Sequence, residues 1–324
     1  MKRTIFARHG EWLKTDLESL NGLHSALETS EPHSPLRAGS HPHLVRQRLL
    51  ALALFPEKWV NRLFSVGGIQ LEGEQVGLRA FMQVDPTMEL AYRLAQLPLP
   101  QGTAQSVPVL HEDDWCVVFD KPSGMPVHPN SPGHRGTLDE FAARHAMRKE
   151  DLQPVKHIHR LDDDTAGPVL YAKNELAQLI LDEAMREKRI DRQYEAVVQG
   201  TLRKSAGIVN APIGKDRHHS SRRRVSPSGD HAVTHFELVK QYKQAALVRL
   251  RLETGRTHQI RVHMSHLGYP LLGDALYGGQ TSFLAHQALR GASLTFDHPF
   301  HEQTVRVLSP TPQWFADLLA KLTV

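Results

Sequence analysis

Residues 246–253 read ALVRLRLE, in which Val248, Leu250 and Leu252 alternate with Arg249, Arg251 and Glu253. A period of two cannot be satisfied by a helix; it puts one face on a core and the other in water, as in a strand of an antiparallel sheet. Such a strand needs neighbours, and residues 194–199 (YEAVVQ) and 234–242 have the composition to supply them. The run WCVVF at 115–119 reads as a further short, apolar strand. Residues 175–189 instead repeat Leu176, Leu179, Ile180 and Ala184 behind Asn174, which predicts an amphipathic helix with an asparagine N-cap. Residues 257–267 predict a second helix, with Ile260, Met264 and Leu267 packed inward, His258, Arg261 and Ser265 sharing another face, and Gly268 as C-cap. Strand runs interleaved with few helices imply an α+β class: a mixed, largely antiparallel sheet flanked by helices and loops.

The chain has 324 residues, 40% of them hydrophobic, enough for one large domain and an accessory piece. LPLPQGTAQSVP, residues 97–108, breaks every periodicity, so we place a boundary there: residues 1–105 form a small N-terminal domain and 106–324 the main one. Within the first, residues 25–43 read as an irregular loop, the following LVRQRLLALALF as a helix, and 56–90 as a helix-plus-strands unit. Cys116 is the single cysteine, which excludes an intramolecular disulfide and a cage of several thiolates and points to a reducing, cytoplasmic setting. Neither an apolar leader nor 18 consecutive apolar residues occur, so no signal peptide and no membrane span are expected. Lys+Arg outnumber Asp+Glu by only 39 to 35, so local basic clusters matter more than the total.

Three clusters could carry chemistry. HRLDDDTAG, residues 159–167, is first of all what an acidic turn entering a strand looks like. If Leu161 faces the core, Arg160 and Asp162 point the other way, and Asp162 becomes the aspartate nearest the ordered framework, with Asp163 and Asp164 out in the turn. A carboxylate that must stay ionised needs a cation within about 4 to 6 Å. Arg261 is a candidate, although an ordinary solvated arginine on an amphipathic helix has the same pattern. GKDRHHSSRRRVSPSG, residues 214–229, sets Lys215, Arg217, Arg222, Arg223 and Arg224 against Asp216 alone; it is either a solvated basic loop or a ribbon able to follow a phosphate backbone. Two other readings compete with these. His157, His159 and Asp162, with His258, His263 and His266, have the makings of a metal-dependent phosphoesterase site, and RHGE at 8–11 is the string of histidine phosphatases without the strand that should precede it.

HRLDDDTAG resembles the HRLDxxTSG motif of the RluA-type pseudouridine synthases, and DKPSGMPVHP, RQYEAVVQG and TGRTHQIRVHMSHLGYPLLGDALYG are similar to other motifs of that family in the family's order. The likeness spans about residues 108–300, with Ala166 where the family usually has serine. It implies a pseudouridine synthase fold and the isomerisation of uridine in ribosomal or transfer RNA, with no cofactor and no metal; apart from the resemblance, a monomer without an obligatory protein partner is the default expectation. By the same resemblance Asp162 is the catalytic aspartate, acting on C1′ or on the C2′ proton of the ribose; Tyr194 is the active-site tyrosine and Arg261 the partner of the aspartate. Arg160 is matched to the arginine that helps displace the target nucleotide and Ile260 to the aliphatic pocket residue, while His159, Lys215, Arg222, Arg223 and Arg224 are assigned to RNA binding. Residues 56–85 faintly resemble the α-L RNA-binding domain that precedes many of these enzymes.

Overall fold

The computed structural model describes residues 3–25, 35–103 and 106–323. In the N-terminal part, β1 (Ala7–His9), β2 (Trp12–Asp16), β3 (Ile69–Glu72) and β4 (Gln75–Leu78) form an antiparallel sheet in the order β1-β2-β4-β3. It carries α1 (Leu17–Ser25), α2 (Pro42–Ala51) and α3 (Glu57–Ser65), and α4 (Leu90–Ala95) follows. The helix-plus-strands reading of residues 56–90 therefore holds, and α2 begins near the predicted place. Of the irregular stretch at 25–43, residues 26–34 lie outside the described residues.

A second antiparallel sheet, in the order β5-β6-β8-β7, contains β5 (Val109–Glu112), β6 (Cys116–Lys121), β7 (Lys156–His157) and β8 (Gly167–Ala172), with α5 (Leu138–Arg148) between β6 and β7. WCVVF is continuously apolar because both faces of β6 are covered. Cys116 and Val118 join the core that includes the N-terminal sheet and α6 (Glu175–Arg186), whereas Val117 and Phe119 face a second core. Asn174 caps α6 as expected, its side chain accepting from the Ala177 N–H.

The third sheet, ordered β10-β13-β14-β9-β15-β16, is the largest. Its strands are β9 (Asp191–Gln199), β10 (Ala206–Asn210), β13 (Val233–Gln241), β14 (Ala245–Leu252), β15 (Leu289–Asp297) and β16 (Thr304–Leu308). A separate two-stranded ribbon of β11 (Ile213–Lys215) and β12 (Arg223–Val225) rises between β10 and β13. The alternation in β14 is realised as read: Leu250 pairs with Tyr194 and Phe236 on the buried face, while Arg249 and Arg251 are exposed. The second core lies between this face, the second sheet, α5 and α7 (Gln259–His266). On the opposite face Phe315 and Leu318 of α8 (Gln313–Lys321) cover Val197 and Leu247. The fold is thus α+β with antiparallel ladders throughout, the second and third sheets being joined by a parallel bridge between Ala166 and Arg290.

Candidate active site

HRLDDDTAG is pinned along its length. At its start, the Ile158 N–H donates to the Leu170 carbonyl and the Leu170 N–H donates to His159 Nε2 at 3.2 Å. His159 is buried, and burial pulls it down to about 3, so it is a neutral acceptor tying the segment to β8. In the middle, the Thr165 N–H closes a turn on the Asp162 carbonyl at 2.9 Å. The preceding DKPSGMPVHP loop holds that turn from behind: Lys121 Nζ donates to the carbonyls of Pro122, Met125 and Asp163, and Ser123 Oγ to that of Asp164. Lys121 is buried, and burial lowers it to about 7 against the raising influence of Asp163, Asp162 and Asp164. At its end, the Gly291 N–H donates to the Ala166 carbonyl at 2.7 Å, and Gly167 has φ +133 with room for no side chain: a Cβ would lie 2.7 Å from Gly291 Cα. These ties orient the side chains as the alternation predicts. Leu161 is buried, Arg160 and Asp163 are exposed, and Asp162 is partly exposed and lines the same cleft as Arg160.

α7 supplies the cation. Ile260 and Met264 pack inward as expected. Leu267 does not: it is the C-cap residue, beyond the last full turn, and is 38% exposed. His258 is not a helical residue either but sits at φ +57 just before the first turn. Arg261 is nearly enclosed, and its guanidinium grips Asp274 through Nε at 2.7 Å and Nη2 at 2.9 Å while Nη1 reaches Asp162 Oδ2 at 3.2 Å. Burial alone would lower the Arg261 pKa; the hydrogen bonds and charge of Asp274, with Asp162 adding, push it above its ordinary value. The bidentate grip fixes the plane of the fork, so the remaining nitrogen is aimed rather than free. His258 Nε2 stands 4.0 Å from the same Oδ2, and among the described residues no hydrogen bond reaches Asp162 Oδ1.

Asp162 opens onto a cleft of about 1140 Å³ whose lining includes Tyr194, Ile260, Arg192, Arg223 and Gln287. Tyr194 is buried on β9; burial raises its hydroxyl pKa, Asp162 adds to this, and Arg192 opposes it through charge and a hydrogen bond. Arg160 stands at the exposed edge with Nη1 2.8 Å from His128 Nε2. Of the residues singled out in the sequence, Asp162, Tyr194, Arg261, Ile260, Arg160, His159 and Arg223 meet at this cleft. Lys215, Arg222 and Arg224 do not line it; they are exposed on the adjoining β11–β12 ribbon. Asp274, Tyr277 and Arg192 were missed. Arg192 had a signal, lying two positions before Tyr194 on one strand face, whereas Asp274 and the 3-10 turn Ala275–Tyr277 that it precedes have no periodicity to read and were marked only by falling within the quoted TGRTHQIRVHMSHLGYPLLGDALYG stretch.

The two competing readings come apart on the same geometry. His157 Nδ1 contacts Asp139, His159 Nε2 accepts a backbone N–H, and His263 is bonded to Thr234 and the Ala211 carbonyl, so these imidazoles do not converge with Asp162 on one point. Among the described residues the group with metal-ligand proximity is His111, Asp113 and Cys116, and none of them lines the cleft. The RHGE string forms the tip of the β1–β2 hairpin, with His9 and Gly10 exposed, Arg8 paired with Asp114 and Asp151, and Glu11 paired with Arg79.

The sequence profile described as RNA pseudouridylate synthase matches residues 115–266, from the start of β6 through the end of α7. YhcT of Bacillus subtilis, named as an uncharacterized RNA pseudouridine synthase, is 44% identical over 206 residues, which cover 63% of this chain and 68% of that protein. The chain belongs to the RluA-type RNA pseudouridine synthase family. Ribosomal large subunit pseudouridine synthase D of Haemophilus ducreyi is 33% identical over 287 residues, covering 82% of this synthase and 84% of the relative. Among solved structures, human RNA pseudouridylate synthase domain containing 4 superposes with a TM-score of 0.55 at 24% identity, over 72% of the synthase and 95% of the human chain. At that identity the likeness speaks for the fold. The matched stretch holds Asp162, Tyr194, the basic ribbon and Arg261, while Asp274 and Tyr277, which hold Arg261 from behind, lie beyond it. The enzyme is an RNA pseudouridine synthase.

Proposed function

We propose that this synthase converts uridine to pseudouridine in large-subunit ribosomal RNA, with Asp162 as the carboxylate that acts on the ribose. The observation that carries the reading is the Asp162–Arg261 pair at 3.2 Å, held by Asp274 and facing a cleft that also contains Tyr194 and Ile260. Pseudouridine is an isomer of uridine, so the chemistry balances without an oxidant or reductant. The N1–C1′ bond breaks, the C5–C1′ bond forms, the C5 proton leaves and N1 takes one up. Both contacts to Asp162 fall on Oδ2, which leaves Oδ1 to meet the sugar. The Arg261 fork aims the carboxylate, and Tyr194 and Ile260 form walls against which the detached uracil turns.

A uridine inside folded RNA must leave its stack at a cost of a few kcal/mol. Arg160 at the cleft edge and Arg223 in its wall are placed to hold the extruded nucleotide, while the exposed Lys215, Arg222 and Arg224 of the ribbon contact flanking phosphates. Residues 1–105 act as an accessory domain, although their basic face is thin: Arg62 of α3 is paired with Glu175 of α6 and Arg46 with Asn61. The enzyme works as a monomer in the cytoplasm, where its RNA is. Ribosomal rather than transfer RNA is favoured by the names of relatives such as the Haemophilus ducreyi enzyme. Carbodiimide-dependent primer extension on RNA from cells with and without the gene tests the reading. A pseudouridine lost from large-subunit ribosomal RNA is expected; loss confined to transfer RNA would overturn the substrate.

A further inference from the structure

Behind the Asp162–Arg261 pair stands a side chain to which the catalytic reading gives no task. Tyr277, in a turn of 3-10 helix (Ala275–Tyr277), is 4% exposed, and its ring lies 5.0 Å from Arg261 Cζ. Its hydroxyl joins two elements. It accepts the backbone N–H of Arg223, on β12 of the basic ribbon, at 2.9 Å, and it lies 2.8 Å from His258 Nδ1. With the Arg223 N–H directed at one lone pair of its oxygen, the hydroxyl's one proton can go to His258 Nδ1, the other polar atom it meets. Nδ1 is then the acceptor of a neutral imidazole, and the remaining N–H is on Nε2, 4.0 Å from Asp162 Oδ2. The environment agrees: burial lowers the His258 pKa, Arg261 and Arg223 add to this, and Asp162 and Asp274 oppose it.

We infer that Tyr277 is a positioning residue that couples RNA capture on the β11–β12 ribbon to the catalytic carboxylate, by fixing the His258 tautomer that presents Nε2–H to Asp162. The inference rests on Asp162 being the catalytic group. Phosphates drawn onto Lys215, Arg222 and Arg224 load the ribbon, and the Arg223 N–H carries its position to the tyrosine hydroxyl. Asp162 Oδ2 thereby accepts the Arg261 hydrogen bond at 3.2 Å and faces the Nε2–H dipole of His258 at 4.0 Å, both on the side away from Oδ1. A tyrosine that only filled space would be replaced by phenylalanine without kinetic consequence.

The test is single-turnover tritium release from 5-tritiated uridine RNA, with RNA affinity measured in parallel. Tyr277→Phe keeps the ring on Arg261 and is expected to slow the reacting step about tenfold while the Kd for RNA stays within about threefold. His258→Ala should slow it by a similar factor, and the double variant should be no slower than the slower single one. His258→Gln, whose amide can present an N–H near the place of Nε2–H, should recover most of the rate whether or not the tyrosine variant folds. A Tyr277→Phe rate within twofold of the parent, a loss confined to Kd, or additive effects in the double variant would overturn the inference. Asp162→Asn run beside them separates the two readings: if it stays active the catalytic assignment fails, and if it is silent while Tyr277→Phe keeps its rate, the coupling alone fails.

Discussion

Within HRLDDDTAG three adjacent aspartates have three different surroundings. Asp163 and Asp164 lend their carbonyls to Lys121 and Ser123 from the loop behind, while Asp162 lends its side chain to Arg261 in front. That division was legible from alternation about Leu161 and the need of a working carboxylate for a cation only together with the likeness of HRLDDDTAG to the family motif. The partner of the cation was not, because Asp274 lies in irregular chain that no sequence period marks. His159 shows how a residue read as substrate-binding is also a structural tie, since its Nε2 accepts from Leu170. Folded, it sits at about 3, against an ordinary value of 6.5, so between these values the unfolded chain holds the extra proton. The stability contributed by neutral His159 is therefore complete above pH 6.5 and is lost as pH falls toward 3, at up to about 1.4 kcal/mol per pH unit. His159→Gln can keep an acceptor for Leu170 but does not titrate. Its urea-unfolding free energy should fall less steeply than that of the parent between pH 6.5 and 4; equal slopes would contradict the assignment.

Elements with a period were read well, and elements set by contact were not. β14 and α6 announced themselves through alternation and through an asparagine cap. The residues 257–267 were read as one helix, yet the chain enters α7 through His258 in a left-handed conformation and leaves Leu267 in solvent. A tertiary demand, the bond from His258 to Tyr277, decides that entry, and no local pattern encodes it. The meeting of the second and third sheets is likewise invisible in sequence. It depends on Gly167 and Gly291, whose backbones approach too closely for a Cβ on the former. Gly167→Ala adds that Cβ at φ +133, and should cost roughly 2–5 kcal/mol by urea denaturation, since the clash is with backbone and cannot be relieved by a rotamer change. A variant within about 0.5 kcal/mol of the parent would show that the sheets can part without penalty.

For the molecule as a whole, the α+β class followed from strand patterning, but the packing between its parts did not. Trp115 stacks on Phe300 at 4.1 Å and meets Phe81 edge-on at 4.9 Å, so aromatic side chains from three distant stretches share one core. That core also holds Trp59 and Leu49 of the N-terminal helices beside Leu176 and Leu181 of α6. A shared core of this kind predicts that the N-terminal and synthase parts unfold together. Calorimetry should record a single cooperative transition; two separated transitions would mean the N-terminal part is energetically independent.

The central claim, that one aspartate of three does the chemistry, is tested most directly by tritium release from 5-tritiated uridine RNA with Asp162→Asn, Asp163→Ala and Asp164→Ala compared under single-turnover conditions. The near-isosteric Asp162→Asn should release no tritium above background while still binding RNA, and the other two should keep substantial activity. Retained activity in Asp162→Asn, or equal loss in all three, would contradict the account.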